Sequence, residues 1–140
     1  MTGGDLVDRV DGIVHEETQV HEYGVDLTVA EIHEVAEPGR VDFGGGELAD
    51  AELRPLASSL RNPGDDYEWW HLTAGTYLLE YNESLTPGAP LRVQTRRELR
   101  ERGAFHPSVV TNELGPTPLT VGEGGVRVKE NARVSTLLER

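Results

Sequence analysis

Glycine and proline interrupt this chain so often that no stretch remains for a long helix. Its 140 residues include 16 Gly and 8 Pro. Proline removes a backbone donor and glycine weakens the interior of any regular element, so each marks a boundary. Pro38-Gly39, Gly44-Gly45-Gly46, Asn62-Pro63-Gly64-Asp65 and Thr86-Pro87-Gly88-Ala89-Pro90 are turn signals. Beyond residue 100, Gly103, Pro107, Gly115, Pro116, Pro118, Gly122, Gly124 and Gly125 leave only short segments. Many short strands with frequent turns and little helix predict an all-β sandwich or closed barrel.

Within that frame, the run His21-Glu22-Tyr23-Gly24-Val25-Asp26-Leu27-Thr28-Val29 is the most specific. Val25, Leu27 and Val29 share one face of a strand, Asp26 and Thr28 the other. Aspartate is depleted in strands, so Asp26 either lies on a wet face or has a particular task. Gly24 permits close approach of another backbone or a ligand. Tyr77, Leu79 and Tyr81 predict a second strand, and Leu91 and Val93 a third. Val41 and Phe43 between glycines suggest a hairpin, residues 1–20 at most one short helix, and residues 47–68 a long polar surface loop. Arg96–Arg102 reads as a helical turn stopped by Gly103.

The chain is long enough for one domain, residues 1–140, with no room for a second. It has 25 Asp+Glu against 13 Lys+Arg, a formal charge of -12. That excess repels phosphate-rich surfaces and argues against nucleic-acid or anionic-membrane partners. An acidic surface with Lys129 as the only lysine suits a high-salt cytoplasm. The absence of cysteine excludes disulfides and thiolate metal sites. Charges at Asp5, Asp8 and Arg9 and the lack of a long apolar run predict neither a signal peptide nor a membrane span, hence a soluble, cytoplasmic protein.

Against this acidic background, Arg92, Arg96, Arg97, Arg100 and Arg102 form a basic island. Two readings stand. Guanidinium forks could hold phosphate oxygens, or the island could be a solvated helix laced by Glu98 and Glu101, with Glu98 and Arg102 paired at i,i+4. His15-Glu16 and His21-Glu22 match no zinc spacing and read as solvated loop residues. Trp69 and Trp70 fit a core or a subunit contact better than a base or sugar platform. Gly122-Glu123-Gly124-Gly125 lacks the Gly-Lys-Ser/Thr of a P-loop.

Taken in order, four segments resemble the dUTPase/dCTP deaminase family, particularly its archaeal type. They are Gln19–Thr28 (a Gln-Pro-x-Gly-Val-Asp-Leu-Thr motif), Leu72–Glu83 (L-x-P-G-x-Y-L-V-x-x-N-E), Thr95–Ala104 (Pro-Arg-Ser-Ser-Leu…Gly-Ala) and Gly125–Leu137 (G-A-R-I-A-Q-L). The resemblance implies a distorted jelly roll (β-clip), a homotrimer with shared sites, and a deoxynucleoside triphosphate (dUTP or dCTP) as ligand. It implies Mg²⁺ held through water by Asp26, phosphate contact by Arg96 with Arg97 beside it, and hydrolysis of dUTP to dUMP and pyrophosphate. The chain departs from the family where Arg97 and Glu98 replace serines. The third motif, Ala-x-x-x-Asp-x-Gly-Tyr-x-Gly, has no counterpart in Phe105–Pro116, so no catalytic residue is assigned. Glu113 or His106 are the substitutes within reach. A non-catalytic scaffold for binding or assembly is therefore the alternative.

Overall fold

The computed structural model describes residues 2–140. Strand accounts for 45% of it and helix for 11%, which makes it an all-β protein. The main sheet is antiparallel and built around β2 (Val25–Glu37), a strand of 13 residues. Ahead of β2 lie α1 (Gly3–Leu6), β1 (Val10–Asp11) and α2 (Glu16–Gln19). After it come β3 (Glu52–Pro55), β4 (Ser59–Leu60), β5 (Glu68–Leu72), β6 (Gly75–Tyr81), β7 (Ser84–Leu85) and β8 (Leu91–Thr95). The chain closes with α3 (Arg97–Arg100), β9 (Ala104–Phe105), β10 (Val109–Thr111), β11 (Thr117–Val121), β12 (Val126–Lys129) and β13 (Arg133–Leu138).

Strand order in the main sheet is β10-β8-β13-β2-β6-β11-β9, with β3 also paired to β2. β2 changes partner along its length. Its first residues pair with β13, the middle with β6 and the last with β3. A three-stranded sheet, β12-β5-β4, and the short pair β1-β7 complete the architecture.

Two apolar clusters fill the interior. One gathers Val29, Ile32, Trp70, Leu79, Leu119 and Val128, among others, and the other Leu6, Val25, Leu27, Leu91, Val93 and Leu137. Tyr81 packs against both. Residues on both faces of the start of β2 are therefore enclosed, and Val25 through Val29 are all buried. The wet-face option for Asp26 is ruled out, since it has 0% exposure. Gly24 shows why the strand can lie so close. A Cβ there would sit 2.4 Å from the Leu137 carbonyl oxygen, so the approach it permits is to the β13 backbone.

The expected hairpin after β2 is present as the β2–β3 pair, with Arg40 bridging Ala49 near the tip. The reading of residues 47–68 as one long surface loop is corrected. β3 and β4 lie within it and pair with β2 and β5. Both are short and largely exposed, and so gave no sustained apolar alternation. The N-terminal segment likewise holds two short α-helices, a 3-10 turn at Val7–Arg9 and a strand rather than a single helix. Trp70 is a core residue, whereas Trp69 lies beneath the Arg61 and Lys129 cations at 5.2 and 5.6 Å.

Candidate functional site

Asp26 sits at the centre of a buried polar knot. Oδ1 accepts a hydrogen bond from Thr136 Oγ1 at 3.0 Å. Oδ2 accepts from His21 Nε2 at 2.8 Å and from an Arg133 terminal nitrogen at 3.1 Å, with Arg96 Nε at 3.6 Å. Thr136 is the direct cross-strand partner of Asp26. Arg133 and Thr136 are three positions apart and would face opposite ways in a regular strand. The register shift between Arg133 and Ser135 turns both toward Asp26, as bulges do when they re-aim a side chain.

A second carboxylate, Glu83, anchors the neighbouring layer. It accepts from the Thr28 backbone N–H, the Thr28 hydroxyl and Gln19 Nε2. Gln19 also donates to the Asp26 carbonyl and accepts from the Val14 and His15 N–H groups at 2.8 Å. Asn82 reaches Thr28, Val29 and Asn131. The first, second and last resembling segments thus interlock through side chains. Every buried oxygen and nitrogen of the knot has a partner, as burial of polar groups demands.

Above the knot opens a cleft of about 440 Å³ lined by Tyr23, Gln94, Arg96, Arg97, Arg100 and Thr136, together with Glu98. This volume lies in the range of small-ligand pockets. Arg96 caps the start of α3, and its side chain is only 15% exposed. Asp26 holds it below, the Arg133 carbonyl accepts from it at 3.3 Å, and Glu98 pairs with it at 3.0 Å. Arg97 is 75% exposed and pairs with Glu101 at 3.1 Å. The expected Glu98–Arg102 side-chain pair is absent. Arg102 donates to the Glu98 carbonyl instead, and the Glu98 carboxylate faces Arg96. Glu98's own backbone N–H, then Arg96, Arg133 and Arg97, hold its pKa below the ordinary carboxylate value. Gly103, with φ 88°, ends the turn as expected.

In this geometry both Asp26 oxygens already have protein partners and the carboxylate is shut off from solvent, so it has no open position for direct coordination of Mg²⁺. Among the described residues no group of three His, Cys, Asp or Glu side chains is placed to hold a metal ion. The residues do not fit a protein-held Mg²⁺.

His106 is also buried, at 3% exposure. Its Nδ1 lies 2.9 Å from the Pro107 carbonyl and its Nε2 2.6 Å from Ser135 Oγ, which in turn meets the Tyr81 hydroxyl at 2.7 Å. The carbonyl fixes the proton on Nδ1, leaving Nε2 to accept from Ser135. Burial pushes the imidazole below its ordinary pKa and the Tyr81 phenol above its own. Neither His106 nor Glu113 lines the arginine cleft.

Reading the sequence alone missed His21, Arg133 and Thr136. Arg133 and Thr136 stood inside the last resembling segment, which was the available signal. His21 stood inside the first such segment; its reading as a solvated loop residue is corrected by its bond to Asp26, whose burial is a tertiary fact.

Three comparisons bear on this arrangement. No family model matches the chain. It is 29% identical over 136 residues to a probable deoxyuridine 5'-triphosphate nucleotidohydrolase of Methanosarcina acetivorans, covering 92% of this chain and 76% of that one. It is 32% identical over 84 residues to the probable enzyme of the same name from Halobacterium salinarum, covering 60% of this chain and 48% of the relative. In fold it is similar to 2'-deoxycytidine 5'-triphosphate deaminase from Agrobacterium tumefaciens, with a TM-score of 0.65 at 16% identity over 98% of this chain. The chain spans 46% of that deaminase, about half, as it does of the Halobacterium relative. No helix among the described residues is long and apolar enough to cross a membrane. The interlocked motifs, the relatives and the shared fold agree in their likeness to the dUTPase/dCTP deaminase family.

Proposed function

We propose that the arginine cleft binds the phosphates of a deoxynucleoside triphosphate, with Arg96 as the principal contact and Arg97 as an outer one. The observation supporting this is the anchoring of Arg96 on buried Asp26. A guanidinium fixed in place loses little freedom when it engages phosphate. Asp26 then acts as a positioning residue, and any Mg²⁺ arrives on the nucleotide as part of the substrate. The names of the relatives make dUTP the first nucleotide to test, and hydrolysis to dUMP and pyrophosphate the first reaction.

A scaffold without turnover is the second reading, favoured by the Glu98–Arg96 pair in the cleft. Glu98 adds negative charge where phosphate would sit, and among the described residues it is the only carboxylate lining the cleft. In-line attack needs an oriented water as well as charge stabilisation. Weak binding with slow turnover follows from this arrangement. A homotrimer in the cytoplasm remains part of the proposal, and light scattering of the pure protein tests the assembly. The deciding experiment incubates the protein with Mg²⁺ and dUTP or dCTP in molar KCl and follows pyrophosphate and deamination. Pyrophosphate from dUTP supports the hydrolase. Nucleotide binding without either product supports the scaffold, and deamination of dCTP would replace the hydrolase reading.

A further inference from the structure

The aromatic pair at the rim of the cleft has no part in the fold's core. Tyr23 is 60% exposed, yet its ring is not loose. It stacks on His21 with centroids 5.1 Å apart and planes only 5° from parallel. His21 is itself pinned by the 2.8 Å bond to buried Asp26. The same carboxylate that holds Arg96 therefore also holds, through one imidazole, an exposed aromatic plane beside the guanidiniums. An exposed tyrosine ordinarily loses rotamer freedom on binding, and here much of that ordering is already done. Tyr23 lines the cleft together with Arg96, Arg97 and Arg100, and cross-strand partners Gln94 and Thr136 form its side toward the sheet.

We infer that Tyr23 is a nucleobase platform: the base stacks on the ring face turned away from His21 while the phosphates lie on the arginines. The inference rests on the proposed binding of a triphosphate in this cleft. A flat π surface next to cationic forks suits a ligand with an aromatic and an anionic end. An inorganic polyphosphate would use only the second. Stacking alone tolerates any base, so this platform contributes affinity rather than choice among bases. Gln94, whose amide can donate and accept, is the group within the cleft that could read a base edge.

The test compares dUTP with inorganic tripolyphosphate by calorimetry, both with Mg²⁺ in molar KCl. Wild type should bind dUTP about tenfold more tightly than tripolyphosphate, in keeping with the strength of base–aromatic stacking. Tyr23→Leu, which retains an apolar side chain without the ring, should remove that advantage and leave tripolyphosphate affinity unchanged. Tyr23→Phe and Tyr23→Trp should preserve it and guard against a folding artefact. Equal loss of both ligands in Tyr23→Leu, or no loss of dUTP affinity, would overturn the platform while leaving the phosphate cleft standing. If wild type binds neither ligand, the cleft and the platform fall together.

Discussion

The two halves of β2 share one strand and obey different rules. From Val25 to Val29 every residue is buried, polar ones included, and the polar groups are satisfied by residues far along the chain. Thr136 and Arg133 reach Asp26 across sequence separations of 110 and 107. From Glu31 onward most side chains are partly or fully exposed, and partners come from the adjoining hairpin strand, as in the 2.6 Å Glu34–Arg54 pair. The first half can be changed only together with its distant partners. The second tolerates change because water replaces whatever is lost.

The sharpest way to break this contrast is a matched pair of truncations. Leu27→Ala should cost about 2–5 kcal/mol, since it empties a fully buried site. Val35→Ala, at a position 47% exposed, should stay within about 0.5 kcal/mol. Equal costs in chemical denaturation would refute the division. Next in size is Glu83→Gln. The amide nitrogen would face donors that now meet a carboxylate oxygen, stranding at least one of them at about 1–3 kcal/mol. A midpoint unchanged in urea would show that the layer repacks freely.

A smaller effect concerns acid. His106 is held neutral by burial, below its ordinary value of 6.5. The unfolded chain takes up that proton first as pH falls, so between the folded-state pKa and about 6.5 it binds more protons than the native state. Stability should therefore rise with pH through that window and fall on acidification below about 6.5. His106→Gln should flatten this part of the profile. A wild-type slope that survives the substitution would assign the effect elsewhere. The smallest expected effect is at the exposed pair. A double-mutant cycle on Glu34 and Arg54 should give a coupling below about 1 kcal/mol that shrinks in salt.

How much of this could be read beforehand follows the same division. Alternation at Val25, Leu27 and Val29 marked the strand, and Gly103 marked the end of α3, because both are local signals. The extension of β2 to Glu37 was hidden. Glu31, His33 and Glu34 break the apolar rhythm of a strand whose later half faces water. β3 and β4 were hidden for a related reason: short, largely exposed strands at a sheet edge, charged at Glu52 and Arg54 in β3, resemble loop sequence. Asp26 was identified as exceptional from its position, but not why. The carboxylate's meaning depends on a bulge more than 100 residues later that brings Arg133 and Thr136 to one side. Such a convergence has no local trace.

Asp26→Asn, melted in EDTA without nucleotide, puts the central claim under the most direct strain. If Asp26 is a buried clamp for Arg96 and Arg133, loss of its charge should lower stability with no metal or ligand present. The expected cost is about 2–3 kcal/mol, less than for a fully enclosed pair because Arg133 is partly exposed. That corresponds to a drop in Tm of roughly 10 °C for a chain of this size. An unchanged Tm in EDTA, with only the Mg²⁺-dependent stabilisation by dUTP lost, would contradict the clamp and return Asp26 to the role of a metal ligand.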